Sequence, residues 1–78
     1  MQKQQHDKYK YLGLNIAYYR KLRGLTQMQL AEHVNISRTH MSNIEAPNSH
    51  TSISLEVLLS IASVLDIPAY KLLVFPEE

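Results

Sequence analysis

Apolar residues recur at three- and four-residue spacings along most of the chain, which is the pattern of amphipathic helices. In the first such stretch Leu12, Ile16 and Tyr19 share one face and predict a helix over residues 8–23. Gly24 follows directly, and glycine commonly ends helices because it adopts the left-handed conformation without a steric clash. The pattern therefore predicts an N-terminal helix that packs one face against a core.

A second helix is predicted to begin at Gln27. Thr26 and Gln29, three residues apart, have the sequence of a capping box, in which each side chain bonds the backbone amide of the other residue. The apolar residues of this helix fall on one face, and they are Leu30, Ala31 and Val34. The helix is predicted to end at Asn35, because asparagine enters the left-handed region more readily than most residues.

A third short helix is predicted over residues 37–45, with Ser37 as its N-terminal cap. Met41 and Ile44 are three residues apart and share one face, which is predicted to pack on the core. The opposite face consists of Arg38, Thr39, Ser42 and Asn43. These side chains are predicted to remain in solvent, where they are free to meet a ligand.

The rest of the chain predicts a loop and two further helices. Residues 46–52 have the composition of a loop. The fourth helix, capped by Ser54, has a core stripe of Leu55, Leu58, Ile61, Ala62 and Leu65. Pro68 is predicted to open a fifth helix at its first turn, with Leu72 and Leu73 closing the core. The predicted fold is all-α, a compact five-helix bundle over residues 8–75, between a flexible polar tail at 1–7 and a short tail at 76–78.

Several short motifs occur in an order and at separations that are shared with a known family. The motifs are Leu25-Thr26-Gln27, Leu30-Ala31, Val34-Asn35-Ile36-Ser37 and Met41-Ser42-Asn43-Ile44-Glu45. In these motifs, and over residues 12–73 as a whole, the chain resembles the phage-repressor, Cro and Xre family of helix-turn-helix proteins. The resemblance implies a lambda-repressor-like fold, in which the helix-turn-helix at 26–45 places the recognition helix, 37–45, in the major groove of DNA.

The resemblance also implies roles for individual residues. The positions whose side chains reach base edges in that family correspond here to Arg38, Thr39, Ser42 and Asn43, with His40 as a further candidate. Gln27 corresponds to the family glutamine that contacts a phosphate at the start of the second helix. Beyond the resemblance, the polar residues Thr26, Ser37, Asn48, Ser49 and His50 are also expected to contact phosphates. Arg20 and Glu45 correspond to a partly buried ion pair that resembles one found across the family.

The loop after the third helix departs from the family pattern. Members often have a basic residue and a glycine directly after the glutamate that ends this helix, whereas here Glu45 is followed by Ala46 and Pro47 and the loop is about two residues longer. Two interpretations stay open at this stage. Either the loop binds phosphate through backbone amides, or it makes no contact with DNA.

Composition and charge limit the classes of protein that fit. Seventy-eight residues suit one domain, and the lack of cysteine excludes disulfides and thiolate catalysis. The net charge is only +1, but residues 1–44 hold seven Lys or Arg against two acids, whereas residues 45–78 hold one against five. The positive half contains the third helix and is predicted to contact the phosphates of a nucleic acid. The affinity is expected to depend only weakly on salt concentration, because few counterions are released. The alternative is an ordinary, unevenly charged surface.

Other chemistries find little support in the sequence. The four histidines, at positions 6, 33, 40 and 50, lack the spacing of helical zinc sites, so no metal is expected. Neither a Gly-rich phosphate loop nor a Ser-His-Asp order is present, so neither an enzyme nor a cofactor is expected. No apolar run approaches the roughly 20 residues of a membrane span, and the polar start lacks a signal sequence. A cytoplasmic protein without membrane contact is therefore expected.

The sequence predicts a DNA-binding transcriptional regulator that acts on double-stranded operator DNA. One recognition helix covers few base pairs, so a homodimer on a palindromic operator is expected. The predicted contact patch between the two copies is Val57, Val64, Tyr70, Val74 and Phe75. The alternative for Val74 and Phe75 is that they fold back and seal the core of the same chain.

Two other functions remain open at this stage. The first is an antitoxin-like or other interaction module, in which the same fold binds an unknown protein partner; antitoxins usually carry an additional segment for that purpose. The second is a helical bundle that has lost DNA binding. That bundle would be expected to carry acidic or bulky apolar residues on the outer face of the third helix, where this chain has Arg38, Thr39 and Asn43.

Overall fold

The computed structural model describes residues 4–49 and 51–76 of the chain. Its regular elements are α1 (Gln4–Leu22), α2 (Gln27–Val34), α3 (Arg38–Glu45), α4 (Leu55–Leu65) and a 3-10 segment (Ala69–Leu73). Every regular element in these two ranges is helical, which confirms the all-α prediction. None of these helices is long and apolar enough to span a membrane.

Helix α1 is longer at its start than the hydrophobic pattern predicted. It begins at Gln4 rather than at Lys8, so residues 4–7, predicted to be tail, are helical. This stretch contains no glycine or proline, and Asp7 in the first turn suits the positive end of the helix dipole. The other end agrees with the prediction, because Gly24 has a φ of 76° and the amide of Leu25 bonds back to the carbonyl of Arg20 at 3.1 Å.

The short helices begin and end at the residues that the sequence indicated. The Thr26 hydroxyl accepts the Gln29 amide at 3.0 Å, and the Thr26 amide donates to the Gln29 side chain at 2.9 Å, which completes the capping box. Asn35 ends α2 in the left-handed conformation with a φ of 63°. The Ser37 hydroxyl accepts the His40 amide at 2.9 Å, so α3 begins at Arg38.

One core joins all five elements. Its buried members are Leu12, Ile16, Leu30, Ala31, Val34, Met41, Ile44, Leu58, Ile61, Ala62, Leu65 and Leu72. Two leucines that were predicted to belong to it are exposed instead. Leu55 is 68% exposed because it is the first residue of α4 and lies at the edge of the core, and Leu73 is 47% exposed. Successive residues of a 3-10 helix point about 120° apart, so only Leu72 of that pair can face inward.

The predicted fifth α-helix is a five-residue 3-10 segment. Pro68 is its N-terminal cap in an extended conformation, not a residue of its first turn. The Asn15 amide of α1 donates to the carbonyls of Leu72 at 3.0 Å and Val74 at 2.9 Å, so these carbonyls bond a side chain of α1. Because five residues leave little room for an α-helical hydrogen-bond ladder, the tighter 3-10 geometry is the one that forms here.

The predicted dimer patch is partly used inside the chain. Val57, Val64 and Phe75 pack against the core, and the ring of Phe75 lies 6.4 Å from that of Tyr11, centroid to centroid. Phe75 therefore follows the alternative interpretation and seals the core. Two members of the patch remain exposed, and they are Tyr70 at 64% and Val74 at 60%.

Two contacts fix α1 against the helices around it. Gly13 is buried where α1 crosses α3, and a β-carbon at this position would collide with the carbonyl oxygen of Ile44. Near the other end of α1, the Arg23 guanidinium donates to the carbonyls of Leu65 at 2.7 Å and Asp66 at 3.3 Å. These carbonyls end α4, where a positive side chain compensates both the unpaired acceptors and the helix dipole.

Candidate nucleic-acid interface

The outer face of α3 is a continuous polar surface. Its four members are Arg38, Thr39, Ser42 and Asn43, and all four are exposed. At about 100° per residue they span an arc of about 140° around the helix axis. Met41 and Ile44 lie on the opposite side and are 0% and 5% exposed. The helix thus presents donors and acceptors to solvent while its apolar side is fully packed.

Helix α2 and the turn that follows it determine where α3 lies. Ala31, 1% exposed, is on the face that packs on the core, and its small side chain permits close approach of the helices. The turn is short because Asn35 adopts the left-handed conformation, with its neighbour Ile36 bonding back to the Ala31 carbonyl at 3.0 Å. His40, the further candidate for a base contact, is half-buried at the edge of the exposed face of α3.

Arg20 and Glu45, the predicted ion pair, lie together beneath this interface. Arg20 donates from Nε to Glu45 Oε2 at 2.8 Å and from Nη2 to Oε1 at 2.9 Å, which is the bidentate geometry of guanidinium and carboxylate. A third donor, Nη1, bonds the Leu25 carbonyl at 2.8 Å, just before α2. Arg20 is 8% exposed and Glu45 is 6% exposed. The pair therefore connects α1, the approach to α2 and the end of α3.

Gln27 has a contact that the sequence did not predict. Its Nε2 donates to Glu45 Oε1 at 2.9 Å, so the side chain expected to reach phosphate also bonds the buried carboxylate. A carboxylate can accept about four hydrogen bonds, and two arrive from Arg20, so a further donor near it was to be expected. Spacing along the chain could not identify that donor, because Gln27 and Glu45 lie on different helices.

The start of α2 and the start of α3 retain donors for an anion. The Thr26 and Ser37 hydroxyls each accept a helix amide, yet a hydroxyl in that role still carries its own proton. Thr26 and Ser37 are both exposed. The amides of Gln27 and Met28 are among the first of α2 and have no acceptor within the helix. The start of α2 therefore combines free amides, a hydroxyl and the positive end of a helix dipole.

The loop after α3 contains three residues that were predicted to contact phosphate, and the structure describes Asn48 and Ser49. Asn48 is exposed. Ser49 is half-buried and engaged within the loop, since its hydroxyl lies 2.6 Å from that of Thr51 and accepts the Thr51 amide at 3.1 Å. The Ser49 amide donates to the Ala46 carbonyl at 3.2 Å, so it is not free for a ligand. His50 lies outside the residues that the structure describes.

Comparison with known proteins places this arrangement in a family. A family model described as helix-turn-helix, HTH_3, matches residues 16–72. The chain is 34% identical over 62 residues to the HTH-type transcriptional regulator SinR of Bacillus subtilis and, to the same extent, to SinR of Bacillus licheniformis. The matched region is 80% of this chain and 55% of each SinR protein, so the chain spans about half the length of these relatives.

Two solved structures have the same fold. The hypothetical transcription factor NHTF from Neisseria superposes with a TM-score of 0.80 at 29% identity, covering 92% of this chain and 79% of its own. The restriction-modification controller protein C.AhdI from Aeromonas hydrophila superposes with a TM-score of 0.74 at 26% identity, covering 82% of this chain and 94% of its own. The family match, the curated relatives and the helical fold agree, and the chain belongs to the helix-turn-helix family of the phage-repressor, Cro and Xre type.

Proposed function

We propose that this protein binds double-stranded DNA through α3 and regulates transcription. The observation that carries the proposal is the exposed polar face of α3. The opposite side of α3 packs on the core, and its last residue, Glu45, is bonded to Arg20 of α1. A helix held in this way presents its side chains in fixed positions, which base recognition in the major groove requires.

The side chains on this face differ in what they recognise. The Arg38 guanidinium suits the two acceptors of guanine in the major groove, and the Asn43 amide suits the donor and acceptor of adenine. Thr39 offers a methyl group to thymine, and Ser42 bonds either donors or acceptors. These four exposed residues are proposed to read base edges, with His40 beside them.

Phosphate contacts are proposed at the starts of both short helices. Gln27 contributes its backbone amide at the positive end of α2, and the exposed Thr26 and Ser37 contribute hydroxyl donors. On the other side of α3, the exposed loop residue Asn48 is proposed for the same purpose. The excess of basic residues in the first half of the chain supports such contacts, because that half contains both short helices.

The relatives support a proposed biological role. SinR is named a transcriptional regulator and C.AhdI a controller protein, which supports regulation of a promoter by occlusion or recruitment. We propose that the chain acts as a homodimer on a palindromic operator, with α3 helices about 34 Å apart in successive major grooves. The relatives named above come from bacteria, where the chromosome lies in the cytoplasm, so the proposal includes a cytoplasmic location.

A protein-interaction module on the same fold is the second candidate. The observation that favours it is a stripe of exposed apolar residues along α1, consisting of Leu14, Tyr18 and Leu22 at four-residue spacing, which are 41%, 60% and 60% exposed. Scattered apolar residues on a surface are normal, but three in line on one helix offer a contact surface. In this second candidate function, an unknown protein partner binds the apolar stripe on α1.

The test separates base reading from phosphate contact. Duplexes selected from a random-sequence library supply the operator, and fluorescence anisotropy then measures affinity for it, for its single-base variants and for random duplex. Arg38→Ala and Asn43→Ala should each lose about 1–3 kcal/mol of discrimination at one operator position. Gln27→Ala should weaken binding to all duplexes alike.

Lys71→Ala is the matched control for lost charge, because Lys71 is exposed on the 3-10 segment and not on α3. It should change the affinity little and the discrimination not at all. Selection that enriches no sequence would reject the proposal and leave the interaction module as the candidate. Equal losses for Arg38→Ala on operator and random duplex would reject its assignment as a base-reading residue.

A further inference from the structure

The buried carboxylate of Glu45 is the point where three helices meet. Three N–H donors converge on its two oxygens: Arg20 Nε on Oε2 at 2.8 Å, and Arg20 Nη2 and Gln27 Nε2 on Oε1, both at 2.9 Å. Arg20 comes from α1, Gln27 is the first residue of α2, and Glu45 is the last residue of α3. We refer to these three side chains as the Arg20–Glu45–Gln27 network.

The chemistry of the carboxylate determines how the Gln27 side chain is held. An ionised carboxylate only accepts hydrogen bonds, so the amide nitrogen of Gln27 and not its oxygen must face Glu45. One N–H is then used inside the protein, and the second N–H remains for a ligand. The side chain has also lost its rotational freedom before any ligand arrives, so binding need not pay that entropy again.

Charge in the network has a further consequence for an anionic ligand. The Glu45 carboxylate lies within one side chain's length of the start of α2, and an unpaired carboxylate at such a distance would repel a phosphate. The bidentate Arg20 guanidinium neutralises it, so the carboxylate can orient Gln27 without opposing the anion. Arg20, Glu45 and Gln27 thus form a chain of polarised bonds that ends at the amide of Gln27.

From this geometry we propose that Glu45 is a positioning residue for DNA affinity, although it is 6% exposed and does not itself reach DNA. Its carboxylate presets the Gln27 amide for a phosphate and fixes the start of α2 relative to the recognition helix. The inference rests on the proposed function and deepens it, since it assigns part of the affinity to a buried residue that contacts neither bases nor phosphates.

The test is a double-mutant cycle on random-sequence duplex DNA, since a phosphate contact does not depend on sequence. The variants are Gln27→Ala, Glu45→Gln and both together, measured by anisotropy at one salt concentration. Glu45→Gln removes the charge and replaces one carboxylate oxygen by an N–H₂ group, so the three donors are left with a single neutral acceptor and the bond to Gln27 is weakened or lost. Each single variant should lower affinity by about tenfold, the size expected for one hydrogen bond to a charged group. The double variant should be no weaker than the weaker single variant.

Glu32→Gln is the matched control because Glu32 is exposed on α2 and the change removes the same charge. Removing an acid from a DNA-binding surface should raise affinity by general electrostatics. Glu45→Gln is expected to do the opposite. A gain in affinity for both variants would overturn the proposal, because charge alone would then explain the effect. Losses that multiply in the double variant would overturn it as well, because the two residues would then act independently.

A second variant guards against loss of folding in Glu45→Gln. Gln27→Asn keeps an amide but shortens the side chain by one methylene. Because Gln27 is half-buried at the first position of α2, this substitution does not disturb the core. It should lose about as much affinity as Gln27→Ala, because its amide no longer reaches both Glu45 and a phosphate. Wild-type affinity for Gln27→Asn would overturn the proposal.

The free protein gives a readout that does not depend on DNA. In ¹H–¹⁵N spectra the side-chain amide protons of Gln27 should be displaced from the values of glutamine in an unstructured peptide, and Glu45→Gln should move them toward those values. Unchanged Gln27 resonances in Glu45→Gln would overturn the assigned contact. A wild-type protein that binds no duplex would reject the proposed function together with this inference, whereas additive losses reject the inference alone.

Discussion

The side chain of Arg20 shows what one buried residue contributes to this fold. It uses three donors at once, two on Glu45 and one on the Leu25 carbonyl, so it joins α1 both to the end of α3 and to the residue just before the helix-turn-helix. Among the residues that the structure describes, no buried side-chain nitrogen or oxygen lacks a partner. Only a planar guanidinium with a fixed fork of N–H groups can satisfy all three acceptors.

Arg20→Lys is therefore expected to be a severe change despite keeping the charge. An ammonium cannot bond both carboxylate oxygens and the Leu25 carbonyl in this geometry, so the buried Glu45 loses part of its compensation. The free energy of unfolding should fall by about 2–4 kcal/mol, as for a buried pair that loses one partner. Urea denaturation followed by circular dichroism measures it.

Arg38→Lys is the control for Arg20→Lys, because it makes the same chemical change at an exposed position of α3. Without DNA it should alter the free energy of unfolding by less than about 0.5 kcal/mol. Equal effects of the two substitutions would show that the bidentate geometry of Arg20 contributes nothing to stability.

Sequence reasoning reached the Arg20–Glu45 pair through family resemblance, and it could not reach the Gln27 contact. Local hydrogen bonds such as those of Thr26 with Gln29 are determined by three-residue spacing, which the sequence displays directly. A bond between the start of one helix and the end of another depends on how the helices pack. The same limit applies to Arg23, whose bonds to the end of α4 span more than forty positions of the chain.

At the scale of elements, helix ends with strong local signals were predicted well and those without were not. Thr26, Asn35, Ser37 and Ser54 are caps whose side chains or backbone preferences act within a few residues. No Ser, Thr, Asp or Asn precedes Gln4 in the sequence to signal a helix start, and the position of this start could not be inferred from apolar spacing. The 3-10 segment was mistaken for an α-helix because five residues are too few for a period to be distinguished.

The turn between α2 and α3 depends on one residue whose conformation can be tested. Asn35 is exposed and has a φ of 63°, which lies in the left-handed region. This region is unfavourable for most residues that have a β-carbon. Asn35→Ala should lower the free energy of unfolding by about 1 kcal/mol, because alanine has the β-carbon without the polar side chain that helps asparagine there. Thermal melting by circular dichroism is a suitable measurement.

Asn35→Gly is the matched control for Asn35→Ala, since it removes the same side-chain amide but accepts positive φ. It should stay within about 0.5 kcal/mol of the wild type. If Asn35→Gly were as unstable as Asn35→Ala, the contribution of Asn35 would come from its side chain rather than from its backbone conformation.

At the scale of the whole molecule, the question is what the exposed apolar residues near the C-terminus do. The sequence predicted a five-residue patch, but Val57, Val64 and Phe75 pack against the core. Alternation of buried and exposed residues cannot be inferred from sequence where the chain leaves regular helix, as it does after Leu73. The exposed remainder is Tyr70, Leu73 and Val74, which are 64%, 47% and 60% exposed. This set is smaller than predicted and, unlike Phe75, can be altered without opening the core.

Dimerisation is accordingly predicted to fail when this smaller patch is charged. Tyr70→Asp and Val74→Asp should each shift a dimer toward folded monomers in sedimentation velocity, because a carboxylate buried between two copies has no partner. Both variants should keep the helical content of the wild type, and should bind a palindromic operator without the cooperativity of the wild type.

Met28→Asp is the control for these two substitutions. Met28 is 52% exposed on α2, which packs against α3 and α4 rather than against the 3-10 segment. It should leave the sedimentation in the absence of DNA unchanged. A wild type that remains monomeric on a palindromic operator would reject the dimer. A dimer that survives both patch substitutions would place the contact on another face of the protein. The next face to test would then be the exposed apolar stripe of Leu14, Tyr18 and Leu22 on α1.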